Sequence, residues 1–335
     1  MDKEVKKATR VSFGEELKEL GEKNEKIVVL DADLSGATKT NIFAKAFPDR
    51  FFDMGIAENN MIGVASGLST CGKIPFAASI AVFSTGRSYD QLRASVAYPN
   101  LNVKVVGSHY GLTVGEDGAT HQMLEDISLI RGLPNFKIFS PSDDLSTKWA
   151  VREAVKITGP VYIRVCRLAT PVIYDESQKF EFGKAICFGD GEDATVFATG
   201  DMVCKALEAK ELLEKENINI RVVDFHTIKP IDREMILKCA EETKNLISIE
   251  DHSIYGGLGD AISDVLISEY PKKLIKMGVK DQFGHSGKAE DVLKYYGLTT
   301  EKIIENVKTN QKNVWQKICF VIICLHKIKI KFFGG

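Results

Sequence analysis

Two groups of residues in this 335-residue chain have the types and spacing to do chemistry. The first is a single carboxylate, Glu58, within FFDMGIAENNMIGVASGL at residues 51–68. FFDMGI has the length and apolar character of a buried strand. Helical spacing then takes over, with Met61, Val64, Ala65 and Leu68 on one face. Glu58 therefore falls in the first turn of a helix just past the carboxyl end of a strand, where open α/β sheets place their ligand crevices. An acid at that position also fits a plainer role beside the positive end of the helix. The second group is His109, Asp117 and His121, spread along the glycine-rich stretch SHYGLTVGEDGATHQ. Two histidines and an aspartate suit either metal ligation or proton transfer, since a neutral imidazole can exchange protons near pH 7.

Such groups need a frame. Residues 27–34 (IVVLDADL), 74–83 (IPFAASIAVF, ending on Phe83), 102–109 (NVKVVGSH) and 160–167 (PVYIRVCR) read as strands. Helical patterns such as VSFGEELKELGEKN, SYDQLRASVAY and LSTKWAVREAVKI lie between them. The alternation predicts a mostly parallel, doubly wound α/β sheet over residues 8–167. Residues 168–185, LATPVIYDESQKFEFGKA, carry a proline, several charges and no helical period, so they read as a linker. A second, smaller α/β unit follows over 186–310. The tail at 311–335 has an apolar core, ICFVIICL, far short of the roughly 20 residues a bilayer span needs.

Composition excludes more than it selects. The chain is 44% hydrophobic and 27% charged, with a formal net charge of −2, which indicates neither nucleic-acid nor membrane binding. Seven scattered cysteines form no CxxC pair, and the N-terminus shows no secretory signal. They read as reduced thiols of a cytoplasmic protein.

The segments GIAENNMIGVASGL, SIAVFSTGRSYDQLR and SHYGLTVGEDGATHQMLEDISLIRGLPN together resemble the pyrimidine-binding domain of transketolase. FATGDMV and ISIEDHSIYGGLGDAI resemble the transketolase C-terminal domain, so the likeness covers most of the chain. It implies two doubly wound α/β domains and thiamine diphosphate as cofactor. Thiamine chemistry needs a carboxylic acid at the pyrimidine ring nitrogen, and the match gives that role to Glu58 of GIAEN. Ile56 of the same motif, Asp33 of DADL and Phe83 would line the cofactor, with Phe83 stacked on the pyrimidine. Several relatives have phenylalanine where this chain has Ile80, which speaks against a cage of several rings. By motif match, Asp117 contacts the substrate hydroxyl beside the reacting carbonyl and His121 handles hydroxyl protons. Arg10, His109 and Arg167 match phosphate contacts, joined by Ser35 or Thr38 of the SGATKTN loop.

The family also binds the cofactor diphosphate through magnesium, on a domain with a GDG motif that this chain lacks in usable form. Gly189-Asp190-Gly191 precedes a strand instead of following one and opening a helix, so it forms no phosphate cradle. YGGLG at 255–259 lacks the spacing of a nucleotide loop, and its glycines read as tight packing at a helix start. The resemblance thus implies half an enzyme, the C-terminal subunit of a split transketolase. Its Mg2+ ligands would lie on a diphosphate-binding partner, in a heterotetramer acting on sugar phosphates. Two alternatives stay open: an activity like deoxyxylulose-phosphate synthase, and a non-catalytic regulatory subunit.

Overall fold

The run IVVLD is buried at all five positions, and it becomes the strand from which the first sheet grows. In the computed structural model, residues 5–309 are described; the tail at 311–335 lies outside them. The strands are β1 (Lys6–Ala8), β2 (Ile27–Asp31), β3 (Phe51–Asp53), β4 (Ile74–Ile80), β5 (Lys104–Ser108), β6 (Lys137–Phe139), β7 (Val161–Val165), β8 (Ala169–Pro171), β9 (Ile186–Phe188), β10 (Ala194–Ala198), β11 (Ile220–Asp224), β12 (Thr227–Lys229), β13 (Leu246–Ser253) and β14 (Leu274–Val279).

Seven strands form the first sheet in the order β12-β6-β7-β5-β4-β2-β3. All neighbours run parallel except β12, which pairs antiparallel with β6. Alternate residues of β2 feed opposite faces, as the pleat requires. Val28 and Leu30 pack with Met61, Ile62 and Ala65 of the helix Glu58–Thr70. Ile27 and Val29 pack with Phe13 and Leu17 of the helix Thr9–Lys23 and with Val151 of the helix Asp144–Lys156. Burying a side chain such as Met61 stabilises the fold by about 1.5–3 kcal/mol, and a charge there would detach the helix that carries Glu58.

The second sheet runs β14-β13-β10-β11-β9, parallel but for the β9 edge. Helices Met202–Glu214, Arg233–Glu242 and Leu258–Glu269 alternate with its strands. Glycines at the start of the last one do serve close packing: a Cβ on Gly257 would lie 2.0 Å from a Glu250 carboxylate oxygen.

Several local expectations need correction. FFDMGI is not a buried strand: only Phe51–Asp53 is extended, at the sheet edge, with Phe52 and Asp53 exposed. Phe51 and Met54 pack against the core, while Phe52 and Ile56 stay exposed. The strand expected to end on Phe83 stops at Ile80, and Phe83 sits in a π-helical turn, Val82–Arg87. Part of the expected linker is also ordered, since β8 pairs antiparallel with β1. Finally, β12 from the second unit extends the first unit's sheet, a pairing no local pattern signals.

Candidate active site

The site residues gather because strands of a parallel sheet all end on one side. Asp33 follows β2, Ile56 and Glu58 follow β3, Phe83 follows β4, His109 through His121 follow β5, and Arg167 follows β7. Arg10 joins them from the first turn of the helix after β1.

Glu58 is the first residue of its helix and only 1% exposed. Its Oε2 accepts from Arg87 Nη1 at 2.7 Å, and no described group donates to Oε1. The Arg87 guanidinium lies over the Phe83 ring, 4.6 Å from its centroid. Phe83 also meets the His121 ring edge-on, with centroids 5.4 Å apart. Glu58, Arg87, Phe83 and His121 therefore form one continuous line of contacts. Thr120 Oγ1 and His121 Nδ1 are within hydrogen-bond distance, 3.0 Å.

A second cluster is cationic. His109 is buried at a left-handed φ of 56°, with Nδ1 2.7 Å from Ser108 Oγ. Burial, then the charges of Arg10 and Arg167, push its pKa down to about 4, so it is neutral at pH 7. Lys39 also adds to the depression. Arg10 donates from Nη1 to the Ala37 carbonyl at 2.7 Å, while its Nε is buried without a partner. Burial and the nearby Arg167 hold its pKa below the ordinary guanidinium value. Arg167 Nη1 donates to the Val114 carbonyl at 2.6 Å and to Asp117 Oδ2 at 3.0 Å. Hence Asp117, expected at the sugar, and Arg167, expected at the phosphate, are ion-paired.

Other expectations fare differently. Asp33 is exposed at a φ of 60°, and the capping expected of an aspartate there falls to its neighbours. Asp31 accepts from Leu34 N, Thr38 Oγ1 and Thr40 Oγ1, while Asp53 accepts from the amides of Asp33 and Gly55. Thr38 is fully buried with its hydroxyl turned to Asp31, so it is not a phosphate contact. Ile56 is 76% exposed. Among the described residues no group of three or more His, Cys, Asp or Glu side chains could hold a metal, so His109, Asp117 and His121 form no such set. Gly189-Asp190-Gly191 turns between β9 and β10 and opens no helix; its carbonyls at Asp190 and Gly191 accept from Arg221.

Sequence reasoning missed Arg87 and Lys39. Arg87 lies inside the GRSYDQLR segment, but only the π-helical turn swings it onto Glu58. Lys39 stands between two threonines that point inward. The residues present fit a thiamine pyrimidine: a buried carboxylate with one oxygen free of donors, beside a half-buried aromatic ring.

Residues 5–172 match the family model of the transketolase pyrimidine-binding domain, and residues 183–303 match that of the transketolase C-terminal domain. A Methanocaldococcus jannaschii protein provisionally named a transketolase C-terminal section is 49% identical over 92% of this chain and 98% of its own length. Human transketolase is 38% identical over 90% of this chain, which spans 48% of that enzyme. A solved split-gene transketolase, described as an inactive β4 tetramer, superposes with a TM-score of 0.84 at 48% identity, covering 90% of this chain and 98% of that one. The chain belongs to the transketolase family, as a half-length subunit that carries the pyrimidine-binding and C-terminal domains.

Proposed function

We propose that this chain supplies the pyrimidine side of a thiamine-diphosphate site and, completed by a diphosphate-binding partner, moves a two-carbon ketol unit from ketose phosphates to aldose phosphates. One observation carries the reading: Glu58 is buried in the first helical turn beyond the sheet, with Phe83 and His121 in line beside it. When bound, thiamine diphosphate supplies the nucleophilic carbon that carries the two-carbon unit. Glu58 holds a proton in common with the pyrimidine ring nitrogen, while Phe83, Ile56 and Asp33 line the ring. Asp117 orients the hydroxyl next to the reacting carbonyl, and His121 passes hydroxyl protons. Arg10, Arg167 and neutral His109 hold the sugar phosphate, the arginines by paired charge-assisted hydrogen bonds.

Magnesium and the diphosphate fall to the partner, because no strand–loop–helix here offers a phosphate cradle among the described residues. The exposed Ile56 and Phe52 beside a buried catalytic acid support a permanent partner over this face. Two copies of each subunit would make a heterotetramer with two equivalent sites. In the described residues no helix is long and apolar enough to cross a membrane, and the five cysteines there are unpaired, which supports a cytoplasmic setting.

The test is ketol transfer by the reconstituted pair, with Glu58→Gln as the decisive variant. Turnover should fall by roughly 10² to 10⁴, the range typical of acid–base groups, with assembly unchanged. Near-normal turnover would refute the assignment, and pyruvate consumption in place of ketol transfer would favour the synthase-like alternative.

A further inference from the structure

The segment from Tyr110 to Gln122 carries Asp117 and His121, yet most of what holds it comes from the other domain. Its 3-10 helix, Leu112–Asp117, begins with amides that have no partner inside the turn. The Asp251 carboxylate, at the carboxyl half of β13, accepts both: Leu112 N at 2.8 Å and Thr113 N at 3.2 Å. Asp251 is only 1% exposed. Its own carbonyl accepts from Arg164 Nη2 at 3.2 Å, and Arg164 is paired with Asp126 in the first domain's core. At the start of the segment, Tyr110 donates its hydroxyl to Asp201 of the second domain at 3.1 Å. At its end, Gln122 Nε2 donates to the His285 carbonyl at 3.0 Å.

Two glycines record how close this approach is. Gly111 has a φ of 70°, and a Cβ there would lie 2.1 Å from an Asp251 carboxylate oxygen. Gly118 has a φ of 73°, and a Cβ there would lie 2.3 Å from Ser286 Oγ. Side chains at either position would push the segment off the second domain.

We infer that the C-terminal domain is the brace of the substrate loop, with Asp251 a positioning residue that sets Asp117 and His121 through the amides of Leu112 and Thr113. The inference rests on the reading of Asp117 and His121 as substrate-handling groups. It gives the C-terminal domain a part in catalysis although none of its residues is placed at the reacting atoms. Misplacing catalytic groups by about 1 Å can cost roughly 10²-fold in rate, so a loosened brace should appear in kcat more than in KM.

Asp251→Ala and the milder Asp251→Asn test this in the reconstituted complex, with Gln122→Leu cutting the tie to the His285 carbonyl. Asp251→Ala should lower kcat by roughly 10- to 100-fold, with Asp251→Asn in between because it keeps one acceptor. Amide hydrogen exchange in the chain alone should quicken across 111–121 while β2 and β10 keep their protection. Combined with His121→Ala, the two losses should fall short of multiplying, by more than the roughly twofold scatter of independent sites. Unchanged kcat in Asp251→Ala, exchange that quickens throughout both sheets, or fully multiplicative losses would each overturn the brace. Full turnover in both Asp117→Ala and His121→Ala would overturn the underlying site reading, and with it any catalytic purpose for the brace. Full turnover in Asp251→Ala alone overturns only the brace.

Discussion

Glu58 and Arg87 form an ion pair of 2.7 Å in which the carboxylate is buried and the guanidinium is half in solvent. A buried carboxylate without a donor is costly, and this contact supplies one to Glu58. Arg87 also covers one face of Phe83, which ties the acid's partner to the ring expected to meet the pyrimidine.

Arg87→Ala should therefore weaken catalysis by roughly 10- to 100-fold, the worth of a hydrogen bond to a charged group. Arg87→Lys, which keeps the charge but not the fork, should lose less. Steady-state turnover of the reconstituted complex checks this; equal activity in both variants and the wild type would show that the pair is incidental.

Arg10 and Arg167 should act on phosphate. Arg10 has a buried Nε without a partner, so it has a donor to spare for an incoming anion. Alanine at either position should raise KM for sugar phosphates by roughly 10- to 100-fold while leaving the unphosphorylated acceptor glycolaldehyde nearly unaffected. Equal losses on both acceptor types would mark the arginines as structural.

His109 should not titrate in the physiological range. Burial, Arg10 and Arg167 disfavour its charged form, and its pKa lies at about 4. Its ring-proton NMR shifts should stay constant from pH 8 to about 5.5, because the fall lies below the ordinary value near 6.5. The linkage sign follows: the unfolded chain binds a proton on this histidine first. Its contribution to stability is thus complete above about pH 6.5 and is lost as pH falls towards 4. His109→Gln should remove that share of the acid sensitivity; a midpoint near 6.5 in the folded protein would contradict the burial argument.

Much of this was legible in the sequence, for physical reasons. Helical period placed Met61 and Ala65 inward and so put Glu58 at the helix start, as found. The β-branched run of β2 and the strand–helix alternation gave the parallel sheet. Long-range pairings were not legible: β12 joins the first sheet and β8 finds β1 through contacts far apart in sequence. FFDMGI misled because an apolar strand at a sheet edge has the same composition as a buried one. Phe83 was expected at a strand end and lies in a π-helical turn, which keeps the same apolar pattern. Asp31 and Asp33 look alike in DADL, and only backbone geometry separates the buried hub of hydrogen bonds from the exposed site candidate.

The most direct measurement is calorimetric titration of thiamine diphosphate and magnesium into the purified chain, then into the chain with a diphosphate-domain subunit. A pyrimidine pocket alone buries too little of the cofactor to offset its ordering cost. The chain alone should show neither binding nor ketol transfer, and the partner should restore both. Tight binding or turnover by the chain alone would contradict the half-site reading and return Gly189-Asp190-Gly191 to consideration as a diphosphate site.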